Sequence, residues 1–161
     1  MRPGIALIGR LVCLLAGIWI DCVGLPAEAA TTERIVVNRF SGVAIEGFDP
    51  VAYFVDGAAA RGKAQFEANL WGAVWRFRNE GNRASFLAHP EIYGPQFGGY
   101  DPADIARGVV IAGNPRFFAI VAQQLYLFSR EANRDAFAAD PERFLYDVRK
   151  RWPMLQNTLG Q

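Results

Sequence analysis

A seventeen-residue segment occurs twice in this chain, and that repeat constrains the fold more than any other feature. Phe77 to Tyr93 (FRNEGNRASFLAHPEIY) and Phe128 to Phe144 (FSREANRDAFAADPERF) stand 51 residues apart and agree at eight of seventeen positions. Chance at this composition gives about one identity, so the match reads as a structural repeat. It extends backwards: Trp75 faces Tyr126 and Phe66 faces Phe117. With one residue of slippage, Asp49-Pro50 faces Asp101-Pro102.

Each copy carries the same local signals. Aromatic and β-branched residues over Ala64 to Leu70 and Ala73 to Arg78 predict two strands with a tight turn at Trp71-Gly72. In the second copy the strands fall on Arg116 to Ala122 and Leu125 to Phe128, with the turn at Gln123-Gln124. Asn79 or Ser129 can then cap a short helix, with Glu80 or Glu131 in the first turn where the helix dipole favours an acid. Phe86 and Phe137 are the apolar anchors of those helices. His89-Pro90-Glu91 and Asp140-Pro141-Glu142 end one helix and open another with proline at its first position. The last helix is the longer one: Phe144, Leu145, Val148 and Trp152 keep helical spacing, and Arg149-Lys150-Arg151 is placed at its C-terminal end. The predicted class is α+β, a small single domain of two hairpin-plus-helix units sharing one core.

The first thirty residues read differently. Arg2 and Arg10 precede an apolar run from Leu11 to Ile20, followed by Pro26 and Ala27-Glu28-Ala29-Ala30. That is the pattern of a secretory signal peptide over residues 1–29, cut after Ala29, with the mature domain at 30–161. The apolar run is about half of what a bilayer span requires. Export is expected to place the protein outside the cytosol, in the periplasm if the source is Gram-negative and otherwise secreted, with no membrane attachment after cleavage. Cys13 and Cys22, the only cysteines, both fall in the leader, so the mature chain has no thiol and a single imidazole, His89. No cofactor and no metal are therefore expected. With 17 basic and 16 acidic residues the net charge is +1, which gives no field to attract nucleic acid.

Several ordered motifs resemble the YHS domain family. They are GFDPVAYF (Gly47 to Phe54), GAVWRF (Gly72 to Phe77), NRASFLAHPEIY (Asn82 to Tyr93) and PQFGGY (Pro95 to Tyr100). The Leu125 to Phe128 segment and Arg151-Trp152-Pro153 are similar to the exported YHS domain-containing (seleno)protein branch. The resemblance implies a metal-handling or redox ancestry. It puts the metal-binding cysteines of the family at Ala52, Arg78 and Asn82, and the cysteine or selenocysteine of the exported branch at Asp101. All four positions hold other residues here.

The candidate catalytic residues are Asp101 and His89; the candidate ligand-binding residues are Asp49, Tyr53, Tyr93, Tyr100 and Asp101. Asp49 and Asp101 also suit helix N-caps before proline, a role worth about 1 kcal/mol each. Tyr93 to Tyr100 is glycine-rich but lacks the lysine of a phosphate loop, so a tight aromatic turn is expected. Trp71, Trp75, Phe117 and Phe118 line either an apolar pocket or the core. The expected function is a non-enzymatic exported module that binds a small ligand or a protein partner. The alternative is a metal-binding protein or a carboxylate enzyme with Asp101 at the active position.

Overall fold

The computed structural model describes residues 34–159. The expected signal peptide and cleavage site lie outside the described residues. The first unit runs from a 3-10 turn, Ile45–Gly47, through α1 (Ala52–Val55) and a hairpin of β1 (Lys63–Leu70) and β2 (Ala73–Phe77). It ends in α2 (Glu80–Ala88) and α3 (Pro90–Tyr93). The second repeats that order: a 3-10 turn at Gln96–Gly99, α4 (Pro102–Ile105), β3 (Asn114–Val121), β4 (Gln124–Phe128), α5 (Glu131–Ala139) and α6 (Pro141–Thr158). The domain is α+β, with two similar hairpin-and-helix units.

The likeness holds at the level of hydrogen bonds. β1 pairs antiparallel with β2 and slips register between Lys63 and Glu67; β3 pairs with β4 and slips between Asn114 and Phe118. Both hairpin turns need positive φ at two successive residues, as two-residue turns that follow strand twist do. Trp71 (55°) and Gly72 (74°) supply it in one copy, Ala122 (50°) and Gln123 (59°) in the other. The second turn thus sits one residue before Gln123-Gln124, where the 51-residue shift puts it. Before each hairpin a glycine lies flat against that hairpin's second strand. Gly62 N–H donates to the Gly47 carbonyl and Gly113 N–H to the Gly99 carbonyl, both at 2.9 Å. A Cβ on Gly62 would stand 2.3 Å from the Arg76 carbonyl carbon, and one on Gly113 2.6 Å from the Leu127 Cβ.

A two-stranded hairpin is marginal by itself, so each one is stabilised by its helix. Phe86 is fully buried with ring centroids 4.9 Å from Trp75 and 5.2 Å from Phe77. Phe137 is fully buried 4.9 Å from Tyr126 and 5.2 Å from Phe128. Asn79 caps α2 by accepting from the Asn82 N–H. Ser129 does not cap α5: Arg130 holds that position without a side-chain cap, and the serine turns inward instead. Asp140 caps α6, which runs on to Thr158 with Pro153 inside it. The basic run Arg149–Arg151 therefore lies in the middle of that helix, not at its end.

β4 is the strand on which both units meet. Leu125 and Leu127 enter the larger apolar cluster with Ile45, Phe48, Tyr53, Trp75 and Phe86. Tyr126 and Phe128, one position out of phase, enter the smaller cluster with Phe137 and Leu145. Because alternate residues of a strand face opposite sides, this one strand belongs to both halves of the core. Among the described residues no helix is long and apolar enough to cross a membrane.

Candidate functional site

The two aspartates singled out by the repeat are fully buried and play the same part. In the first unit Asp49 Oδ1 accepts from the N–H of Val51 (2.9 Å) and Ala52 (3.4 Å) at the start of α1. Its Oδ2 accepts from the Arg78 N–H at 2.8 Å and from Asn82 Nδ2 at 2.6 Å. In the second unit Asp101 Oδ1 accepts from the N–H of Ala103 (2.8 Å) and Asp104 (3.4 Å). Its Oδ2 accepts from the Ser129 N–H at 2.7 Å and from Asn133 Nδ2 at 2.6 Å. Each carboxylate ties the turn before a hairpin to the helix after it. The sequence suggests the caps but not the longer reach; its one trace was the identity of Asn82 with Asn133 in the repeat. The positions that the YHS resemblance assigns to cysteines, Ala52, Arg78 and Asn82, all lie on the Asp49 carboxylate.

The second unit adds a charge. Asp104 stands where the first unit has Ala52, and it is buried beside Asp101. The Ser129 hydroxyl lies 2.8 Å from both Asp101 Oδ2 and Asp104 Oδ2. One hydroxyl has one hydrogen, so it serves one carboxylate at a time. Asn133 Nδ2, with two hydrogens, reaches both at 2.6 and 3.1 Å. Outside this pair, Arg107 donates to Asp104 Oδ1 and Arg130 approaches it at 3.9 Å. Burial pushes the Asp104 carboxyl upward, but hydrogen bonds from Ser129 and Arg107, the contact with Asp101 and the Arg107 charge outweigh it. They hold the group below its ordinary range.

The other candidates are scattered. His89 is exposed, makes no cap, and stands 3.5 Å from the Glu91 carboxylate. Tyr53 is fully buried and donates its hydroxyl to the Pro115 carbonyl at 2.8 Å. Burial drives that phenol far above its ordinary range; Asp49 and Glu46 add to the shift and Arg116 opposes it. Tyr93 packs edge-on against Phe54 with ring centroids 5.4 Å apart. The glycine-rich segment after Tyr93 is the tight aromatic turn expected: Phe97, Gly98 and Gly99 all take positive φ, and Trp152 of α6 packs on Phe97 and Tyr100. Trp75 is core, Phe117 and Phe118 pack against it, and Trp71 is partly exposed over Phe86.

A concavity lies elsewhere, where the sequence offered no motif. A half-open groove of about 690 Å³ runs between Ile35–Arg39, the Val110–Ala112 loop, Tyr100 and Leu159. Tyr100 is the one candidate residue on its wall. Among the described residues no group of three or more histidine, cysteine, aspartate or glutamate side chains is placed to hold a metal. Comparison of the chain with family models, with curated proteins and with solved structures finds no match in any of the three.

Proposed function

We propose that this chain is an exported, YHS-like, non-enzymatic module that binds a small amphipathic ligand in the groove beside Tyr100. The observation that carries the reading is the groove itself, lined by the aliphatic residues Ile35, Val37, Val110 and Leu159 together with Asn38 and Arg39. Such a mix of apolar lining and few polar groups suits a small molecule with one polar end. Two further observations support it. The Asp49 and Asp101 oxygens are occupied by N–H and O–H donors, so a carboxylate centre would have to break a structural clasp before acting. The YHS-like part rests on the motifs and on the convergence of Ala52, Arg78 and Asn82 at Asp49. Loss of the cysteines leaves that ancestry a scaffold.

The test is a binding titration of the purified protein with a medium-chain fatty acid, followed by amide chemical shifts. Saturable shifts confined to Ile35–Arg39, Tyr100 and Val110–Ala112, weakened at least about tenfold by Val37→Asp, support the reading. Shifts absent or spread evenly over the surface overturn it. Catalysis abolished by a conservative Asp101→Asn exchange in a folded protein would favour the carboxylate enzyme instead.

A further inference from the structure

The two units are alike in scaffold, so side chains that break the likeness are those the fold does not demand. One such pair meets over Phe48. The Arg61 guanidinium lies 4.8 Å from the Phe48 ring centroid and that of Arg116 lies 5.4 Å from it. Arg61 belongs to the first unit and bridges to Phe48 through the backbone; Arg116 enters from the start of β3 in the second. At the equivalent place in the second unit, Tyr100 bridges to Ala112, and the residue matching Arg116 in the first unit is Gln65. The pair is therefore unique to one side of a duplicated frame.

We infer that Arg61 and Arg116 form a binding site for a phosphate-type oxyanion, a diphosphate or a phosphorylated small molecule. Both side chains are exposed, and neither makes an ion pair with a carboxylate among the described residues. Arg61 spends one N–H on the Glu46 carbonyl at 2.9 Å, which restrains the guanidinium. Stacking on an aromatic face restrains both forks, so less conformational freedom is lost when an anion is bound. Because both guanidinium groups lie against one ring, they are close enough for the two ends of a diphosphate to reach both, each phosphoryl group being suited to a two-point contact. The nearby acids do not cancel the pair. Asp49 is buried in its clasp, and Glu46 lies exposed on the 3-10 turn whose carbonyl Arg61 holds.

The experiment is titration of the purified protein with inorganic pyrophosphate, and separately with inorganic phosphate, at low ionic strength. Saturable one-to-one pyrophosphate binding is expected. It should weaken about tenfold in Arg61→Gln and in Arg116→Gln and be abolished in the double variant. Glu46→Gln should tighten it. Thermal midpoints of the variants within a few degrees of wild type keep the result from being one of unfolding. Unsaturable binding, or binding that the double variant retains, overturns the inference. Phosphate binding as tight as pyrophosphate would narrow the site to a single phosphoryl group.

Discussion

An aspartate before a proline at a helix start is ordinarily a cap worth about 1 kcal/mol. Asp101 does more than that. It is fully buried and holds two backbone N–H groups at α4, the backbone N–H of Ser129, and the Asn133 amide. Asp101→Ala leaves several buried donors without an acceptor, each costing about 1–3 kcal/mol. The expected loss is thus about 3 kcal/mol or more, read as a drop in denaturation midpoint at unchanged slope. A loss near 1 kcal/mol would mean the contacts to Ser129 and Asn133 contribute little. Asp104 sets the response to acid. Its folded pKa lies below the ordinary 3.8, so its ionised form contributes stability that is full above about pH 4 and lost as the pH falls further. Asp104→Asn should flatten the stability curve below pH 4 while lowering it at neutral pH. Tyr53 works at the other end. Its folded pKa is raised, so stability is full below the ordinary 10.0 and falls as pH rises beyond it, where the unfolded phenol ionises first. Unfolding midpoints measured from pH 9 to 11 should decline, and Tyr53→Phe should lessen that decline, leaving the part due to Tyr126, whose phenol burial also pushes up.

Elements were the most legible scale. The repeat located both hairpins, both anchoring phenylalanines and the helix breaks at Pro90 and Pro141, because each follows from apolar spacing and from proline's missing N–H. What escaped were features that local pattern does not encode. The second turn adopts left-handed backbone at Ala122 and Gln123, neither a glycine, so composition pointed one residue too far. α6 continues through Pro153, since Trp152 packs on Phe97 and Tyr100 and holds the helix on the fold. The clasp partners Ser129 and Asn133 and the groove by Ile35 depend on contacts far apart in sequence. The paired glycines are legible only once the strands are seen. Gly62 and Gly113 sit where a Cβ would collide with the second strand of the hairpin, β2 or β4. Gly62→Ala and Gly113→Ala should each destabilise the domain by more than the strand-propensity difference, about 1 kcal/mol, can explain. If both are neutral by thermal melting, the close approach is not a constraint on the fold.

At the scale of the molecule, duplication raises the question of whether each unit stands by itself. The packing of β4 answers it. The larger cluster is built mostly from the first unit, yet Leu125 and Leu127, both fully buried, complete it from the second. Phe118 of β3 also lies edge-on to Tyr53, with centroids 4.8 Å apart, and the Tyr53 hydroxyl is bonded to Pro115. The first half cannot close its core without the second, and the second would leave Leu125 and Leu127 uncovered without the first. Phe86→Ala and Phe137→Ala should therefore each cost about 3–5 kcal/mol of the same global stability. Calorimetry should show one transition whose calorimetric and van't Hoff enthalpies agree. A fragment ending at Gly94 keeps β1, β2 and α2 but loses both leucines and the Pro115 acceptor. It should show no cooperative melt and no dispersed amide spectrum. Two separable transitions in the whole chain, or a folded fragment, would show instead that the repeats are independent modules joined side by side.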